Sequence, residues 1–254
     1  MAKRSRPAKT LRISEIYYSI QGESTWMGYP CIFIRLTGCH LRCVYCDSAH
    51  AFYAGMTMTI PDILRAIARY PCRLVEITGG EPLLQKNVIP LMETLLERGY
   101  RVLLETSGAC SIAAVPPRVV KIVDVKCPDS GECPSFYFPN FRWLMPWDQL
   151  KFVIRTWRDF YWAVDFVRTM DLVARWEILF SPAHGEFSAK SLARAILRTG
   201  LPIRLQIQLH KYIHLDEGMD PAVYAQWTRH TSAPAASPRG AYPARQGDSC
   251  STAE

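Results

Sequence analysis

Three cysteines, Cys39, Cys43 and Cys46, stand in the spacing C-x3-C-x2-C just after the apolar run 31–36. Thiolates bind iron, and a four-iron cluster takes four ligands. Three cysteines would leave one iron open to hold a small molecule and pass it an electron. The same triplet has two plainer readings. A structural zinc could recruit His40, His50 or another cysteine to close a tetrahedron, although such sites usually pair two short clusters and only one is present. The thiols could also be small buried hydrophobes.

Other chemistry-bearing residues follow in order. Thr78-Gly79-Gly80-Glu81-Pro82 comes directly after the apolar run 74–78. Glycines at the carboxyl end of a strand let the backbone approach a ligand, and alone they also make an ordinary tight turn. Gln21-Gly22-Glu23-Ser24 precedes Arg35, which stands four residues before Cys39. A guanidinium is a planar fork for a carboxylate, or a structural ion-pair partner. Ser48 after Asp47 offers a hard oxygen for magnesium, or a loop cap.

The segment from Gly38 to Asp47, with an aromatic Tyr45 before the last cysteine, resembles the cluster loop of the radical S-adenosylmethionine (SAM) superfamily. The Gly-Gly-Glu-Pro segment follows where that superfamily holds the amino group of SAM. Ile20-Gln21-Gly22-Glu23 together with Arg35 resembles one family within it, the 7-carboxy-7-deazaguanine synthases. The likeness runs from about Leu11 to Lys211 and includes Glu105-Thr106-Ser107-Gly108, Asp124-Val125-Lys126, Lys151-Phe152-Val153-Ile154, Ser181-Pro182-Ala183-His184-Gly185 and Gln206 to Lys211.

That resemblance implies a lyase of queuosine or deazapurine biosynthesis. A [4Fe-4S] cluster on Cys39, Cys43 and Cys46 would bind SAM, and a 5′-deoxyadenosyl radical would take hydrogen from 6-carboxy-5,6,7,8-tetrahydropterin. The ring would contract and release ammonia to give 7-carboxy-7-deazaguanine. Tyr45, Cys46, Asp47, Gly80, Asp124, Val125 and Lys126 are implied to hold SAM. Ile20, Gln21, Gly22, Glu23, Arg35 and Thr78 are implied to hold substrate, with Mg2+ on Ser48. A flavodoxin or ferredoxin would donate the electron, and a homodimer is implied. Chains of this family often end soon after the Gln-x-His-Lys segment, with the last residue reaching substrate. Here 44 residues follow His210, so no site is assigned beyond Lys211. A radical-generating activase acting on a partner protein and a zinc-stabilised binding module remain as alternatives at this stage.

The elements needed to position these residues are legible as alternation. Apolar β-rich runs at 13–18, 31–36, 74–78, 102–105, 119–125, 150–154, 176–180 and 203–209 are interleaved with helical patterns at 61–70, 88–98, 159–169 and 188–198. This order predicts an α/β fold with a mainly parallel sheet, and the resemblance makes it a partial, modified (β/α) barrel. The expected organisation is a flexible basic N-terminus over 1–10, a catalytic domain over 11–215 and an extension over 216–254. The Ala-, Pro-, Ser- and Gly-rich part from about 231 is expected to be disordered, with Cys250 a bystander.

With 254 residues and 49% hydrophobic content, the chain can bury one substantial core. Nine cysteines would suit a disulfide framework in a short secreted chain. No secretory pattern or membrane-length apolar run is visible, so a reducing cytoplasm is expected. The net charge of +7 is spread singly over helical faces at Arg65, Arg69, Arg168 and Arg194, with one dense run, Lys3-Arg4-Ser5-Arg6. No recognition motif accompanies it, so neither nucleic acid nor membrane is expected as a direct partner.

Overall fold

The computed structural model describes residues 9–213. The expectations for 216–254 and Cys250 lie outside the described residues. So does most of the basic N-terminus, but Thr10 is already the first residue of a strand and pairs with Thr59, so the expected flexible segment does not reach it.

The interleaved pattern folds as nine strands: β1 (Thr10–Ile20), β2 (Pro30–Leu36), β3 (Met56–Thr59), β4 (Leu74–Gly79), β5 (Arg101–Thr106), β6 (Val120–Asp124), β7 (Gln149–Ile154), β8 (Glu177–Pro182) and β9 (Ile203–Leu205). They form one sheet in the order β3-β1-β2-β4-β5-β6-β7-β8-β9. From β2 to β9 every pairing is parallel, while β1 runs antiparallel to both β2 and β3. The result is an unclosed partial barrel, as expected.

Helices α1 (Ile60–Ile67), α2 (Val88–Glu97), α3 (Trp157–Thr169) and α4 (Ala189–Thr199) cover its outer side. Local chemistry starts and stops them. Thr59 and Asp62 form a reciprocal capping box at α1, and Pro61 sits in the first turn, where its missing N–H removes no helical bond. Thr156 and Ser188 cap α3 and α4, and Gly200 ends α4 in the left-handed region at φ +67°. The strands bury Ile32, Ile34, Leu74, Ile77, Leu104, Leu150, Phe152 and Phe180 at 0% exposure, between sheet and helices or inside the barrel. No helix among the described residues is long and apolar enough to cross a membrane.

Two expectations need correction. The short strand β3 is missing from the sequence reading because Met56-Thr57-Met58-Thr59 is half-exposed and alternates weakly. The run 203–209 is a strand only to Leu205. Beyond it the chain leaves the sheet, and Leu209 opens the short helix α5 (Leu209–Ile213). The cause is a long-range demand. Leu209 N donates to Gly22 O at 2.9 Å, and Gln206 and Gln208 turn their amides toward Glu23.

That contact ties the turn after β9 to the β1–β2 loop. The β1–β2 loop folds beneath the parallel strands, with Gln21, Ser24 and Trp26 buried. Ser24 N donates to Gln206 Oε1 at 2.8 Å, and Thr25 N to Gln149 Oε1 at 3.0 Å. Gly22 is required for the approach, since a Cβ there would lie 2.2 Å from His210 Nδ1. We therefore expect Gly22→Ala to loosen this seam. Hydrogen exchange of the Leu209 amide should accelerate in the variant, while amides of β4 and β5 keep their protection.

Candidate active site

Parallel strands bring their carboxyl ends to one side, and side chains alternate along each strand. A cavity of about 640 Å³ opens there. Its walls include every expected site residue except one: Ile20, Gln21, Gly22, Glu23, Arg35, Cys39, Cys43, Tyr45, Cys46, Asp47, Ser48, Thr78, Gly80, Asp124 and Lys126. The exception is Val125. Asp124 and Lys126 face inward, so the residue between them faces the core, where it is 2% exposed and donates its N–H to Lys151 O.

The cluster loop is held by the protein's own bonds. Arg42 donates to the carbonyl oxygens of Cys39 at 2.9 Å and Leu41 at 2.7 Å, and lies over the Phe52 ring. Val44 N donates to Ser130 O at 3.0 Å, and Cys46 N to Cys43 O at 3.1 Å. Leu41 N points at Cys39 Sγ at 3.4 Å, the kind of N–H contact that steadies a thiolate. All eight cysteines among the described residues are free thiols. No group of three or more His, Cys, Asp or Glu among them is gathered for a single metal ion. Three half-exposed thiols around one cavity wall suit instead a larger cluster that takes each ligand at a separate corner.

Gly79 and Gly80 carry the β4 chain tightly past this loop. A Cβ on Gly80 would meet Gly38 O at 2.3 Å and Cys39 Cβ at 2.6 Å. Glu81 is fully buried and acts as a tie. It accepts from Thr106 Oγ1 at 2.9 Å, Ser107 N at 2.7 Å and Leu83 N at 3.0 Å, which binds the β4 and β5 exits together. Tyr45 OH is buried without a hydrogen-bond partner, and Lys126 Nζ lies 5.9 Å from the centre of its ring. A polar atom orphaned beside glycine backbone and free thiols fits a site for a polar ligand such as SAM.

On the opposite wall, Arg35 is half-buried. Its Nε meets Glu15 at 2.5 Å, one terminal nitrogen donates to Tyr17 OH at 2.9 Å, and the other to Ser48 Oγ at 3.3 Å. Arg35 is thus an ion-pair partner and also a cavity residue beside Ser48. Burial pushes the Tyr17 phenol up to about 12, with Arg35 opposing. Asp47 accepts from Ser48 Oγ and Gln208 Nε2, both at 3.0 Å; burial raises its carboxyl, but these bonds together with the charges of Lys151 and Lys211 bring it below the usual range.

Lys151 occupies the middle. Its ammonium contacts Glu23 at 3.0 Å, Asp124 Oδ1 at 3.3 Å and Glu105. Asp124 also pairs with Lys126 at 2.7 Å. Burial would raise the Asp124 carboxyl, but Lys126 and Lys151 bring it below its ordinary value. Burial opposes charge on Lys151 too, yet Asp124, Glu105 and Glu23 hold it firmly protonated. Glu23 further accepts from Gln206 and Gln208, each at 2.9 Å.

Several lining residues were not singled out from the sequence: Glu15, Tyr17, Glu76 and Phe52. Period-two alternation could have found three of them. Glu15 and Tyr17 share a face of β1, and Glu76 shares one of β4 with Thr78.

The sequence profile of the radical SAM superfamily matches residues 33–121. The chain is 45% identical over 222 residues to a 7-carboxy-7-deazaguanine synthase of Koribacter versatilis, covering 82% of this chain and 98% of that one. It is 41% identical over 206 residues to the synthase of the same name from Chlorobaculum tepidum, covering 80% and 94%. Among solved structures, QueE from Escherichia coli superposes with a TM-score of 0.66 at 25% identity, covering 79% of this chain and 95% of that one.

Replacing Lys151 with Met should cost about 3 kcal/mol at neutral pH, the low end for a broken buried pair, because three half-buried carboxylates lose their shared cation. The crowded carboxyls of the variant would bind protons more tightly folded than unfolded. Its deficit should therefore shrink toward about pH 5 and be largest at neutral and alkaline pH. Denaturant unfolding of both proteins across that range checks this.

Proposed function

The chain belongs to the 7-carboxy-7-deazaguanine synthase family of the radical SAM superfamily, and from that premise we propose how its own residues divide the work. It is a radical SAM lyase of deazapurine biosynthesis, using a [4Fe-4S] cluster and SAM on a pterin substrate. The observation that carries the assignment of roles is the Arg35–Ser48 contact, set in one cavity with the three thiols and the close-packed Gly80.

Cys39, Cys43 and Cys46 would hold the cluster. Tyr45, Cys46, Asp47, Gly80, Asp124 and Lys126 would hold SAM, with Val125 contributing through its backbone. When bound, this pair supplies one-electron chemistry that starts with removal of a hydrogen atom from the substrate. Arg35 would fork the carboxylate of 6-carboxy-5,6,7,8-tetrahydropterin. Ser48 would give Mg2+ one protein oxygen and leave room for waters and substrate. Ile20, Gln21, Gly22, Glu23 and Thr78 would receive the ring, the amide and carboxylate meeting its amide-like edge. The floor formed by the β1–β2 loop keeps water from the reacting carbon.

The remaining assignments follow from the same reading. His40, Arg42 and Val44 are exposed on the cluster loop, where a small redox protein such as a flavodoxin or ferredoxin could approach. The half-exposed Tyr137, Phe138 and Trp143 offer an apolar contact for a homodimer. A reducing compartment such as the cytoplasm suits the free thiols.

The test is anaerobic reconstitution with iron and sulfide, followed by incubation with SAM, reductant, Mg2+ and the carboxytetrahydropterin. We expect 7-carboxy-7-deazaguanine and ammonia, no turnover in Cys43→Ala, and a loss of about 10–100-fold in kcat/KM for Arg35→Ala, the worth of a charged hydrogen bond. A protein that cleaves SAM but leaves the pterin intact would overturn the substrate assignment.

A further inference from the structure

Glu76 stands apart from the other buried carboxylates. It lies mid-strand in β4 between Val75 and Ile77, is 4% exposed, and lines the cavity one inward-facing position below Thr78. Its Oε2 accepts from Gln21 Nε2, whose amide oxygen in turn accepts from Glu23 N at 2.9 Å. The groups facing it come from every neighbouring element: Tyr17 on β1, Cys31 on β2, Glu23 on the β1–β2 loop, Glu105 on β5 and Lys151 on β7. The lysine directs its contacts to Glu23, Glu105 and Asp124, and none is made to Glu76. Arg35 is engaged by Glu15, Tyr17 and Ser48.

A buried carboxylate with two like-charged neighbours and only an amide N–H for support is costly, and the neutral acid is the far cheaper state. Burial, then Glu105 and Glu23, push its proton affinity well above the ordinary range, with Lys151 and Gln21 opposing. Buried in the floor of the cavity with an amide N–H as its hydrogen-bond partner and no ion pair, Glu76 is placed to keep its proton and to offer an O–H to a bound molecule.

Expulsion of ammonia from a carbon skeleton needs such a donor, because an unprotonated amine nitrogen is a poor leaving group. Resting on the pterin reading above, we propose that Glu76 is the general acid for ammonia release and then the base that completes the ring. The carbon–nitrogen bond breaks with its electron pair going to nitrogen, and Glu76 supplies the proton with which ammonia departs. The adjacent carbon–hydrogen pair becomes the new ring double bond, and that proton returns to the Glu76 carboxylate. The residue ends as it began, and no oxidant or reductant is consumed in the step.

The experiment compares Glu76→Gln and Glu76→Asp with the wild type, using substrate deuterated at the carbon that bears the carboxylate. Gln at 76 can still accept from Gln21 but has no proton to transfer. Hydrogen removal precedes ammonia loss, so in a single turnover Glu76→Gln should move deuterium from the substrate to the 5′-deoxyadenosyl carbon at the wild-type rate. Its ammonia release should fall by about 100-fold or more, the usual worth of a positioned acid. Glu76→Asp should recover part of the rate. Normal ammonia release by Glu76→Gln would overturn the proposal, as would a raised KM with kcat intact, or loss of deuterium transfer together with product. A wild type that leaves the pterin unchanged would instead strike the substrate reading first, and this one with it.

Discussion

One ammonium group shared by three carboxylates holds the interior of this barrel together. Lys151 meets Glu23 from the β1–β2 loop, Glu105 from β5 and Asp124 from β6. Each of those carboxylates is half-buried, and each would be costly to keep ionised without a partner. Because the partner is common, the loop, three strands and the turn after β9 are positioned by one electrostatic constraint. Glu23 carries that constraint across the open edge of the sheet, through Gln206 and Gln208. The wall that carries Arg35 and the wall that carries Lys126 are therefore not independent. The same arrangement of charge leaves Glu76 without an ion pair to Lys151, and burial with Glu105 and Glu23 nearby raises its proton affinity.

Around that centre, backbone geometry does the rest. The parallel register sets Arg35 beside Thr78 and Asp124 beside Lys151, so that four strand ends deliver chemistry to one cavity. Glycine at 79 lets β4 pass against the Leu36 backbone of β2, and glycine at 80 lets it pass so near Gly38 and Cys39 that no side chain would fit between them. The same pleat that turns Asp124 and Lys126 inward turns Val125 away.

Much of this was legible from local pattern. The cysteine spacing and the Gly-Gly-Glu-Pro segment each lie within a few residues, and Gln-Gly-Glu stands one loop ahead of the strand that carries Arg35. The alternation of apolar runs along the chain marks eight of the nine strands. What escaped was non-local or ambiguous. Leu209 has an apolar, strand-like context, and only the bond from its N–H to Gly22, 187 positions earlier, explains why it starts a helix instead. Glu76 is a single charge inside an apolar strand, and its meaning depends on which cations reach it in three dimensions. For Arg35 the sequence leaves both an ion pair and a carboxylate fork open, and the side chain holds Glu15 while lying against Ser48. Ion pairing and placement in the cavity are compatible at that position because a guanidinium has several edges to offer.

The account rests on the orientation of the substrate in the cavity, its carboxylate toward Arg35 and Ser48 and its ring over the floor made by Gln21, Glu23 and Glu76. A crystal structure of the reconstituted protein with SAM and 6-carboxytetrahydropterin reads that orientation directly. The account predicts the carboxylate within hydrogen-bond distance of Arg35, and the magnesium bound to Ser48 and the same carboxylate. A pterin bound with its carboxylate toward the Lys126–Tyr45 wall, or outside the cavity, would contradict it.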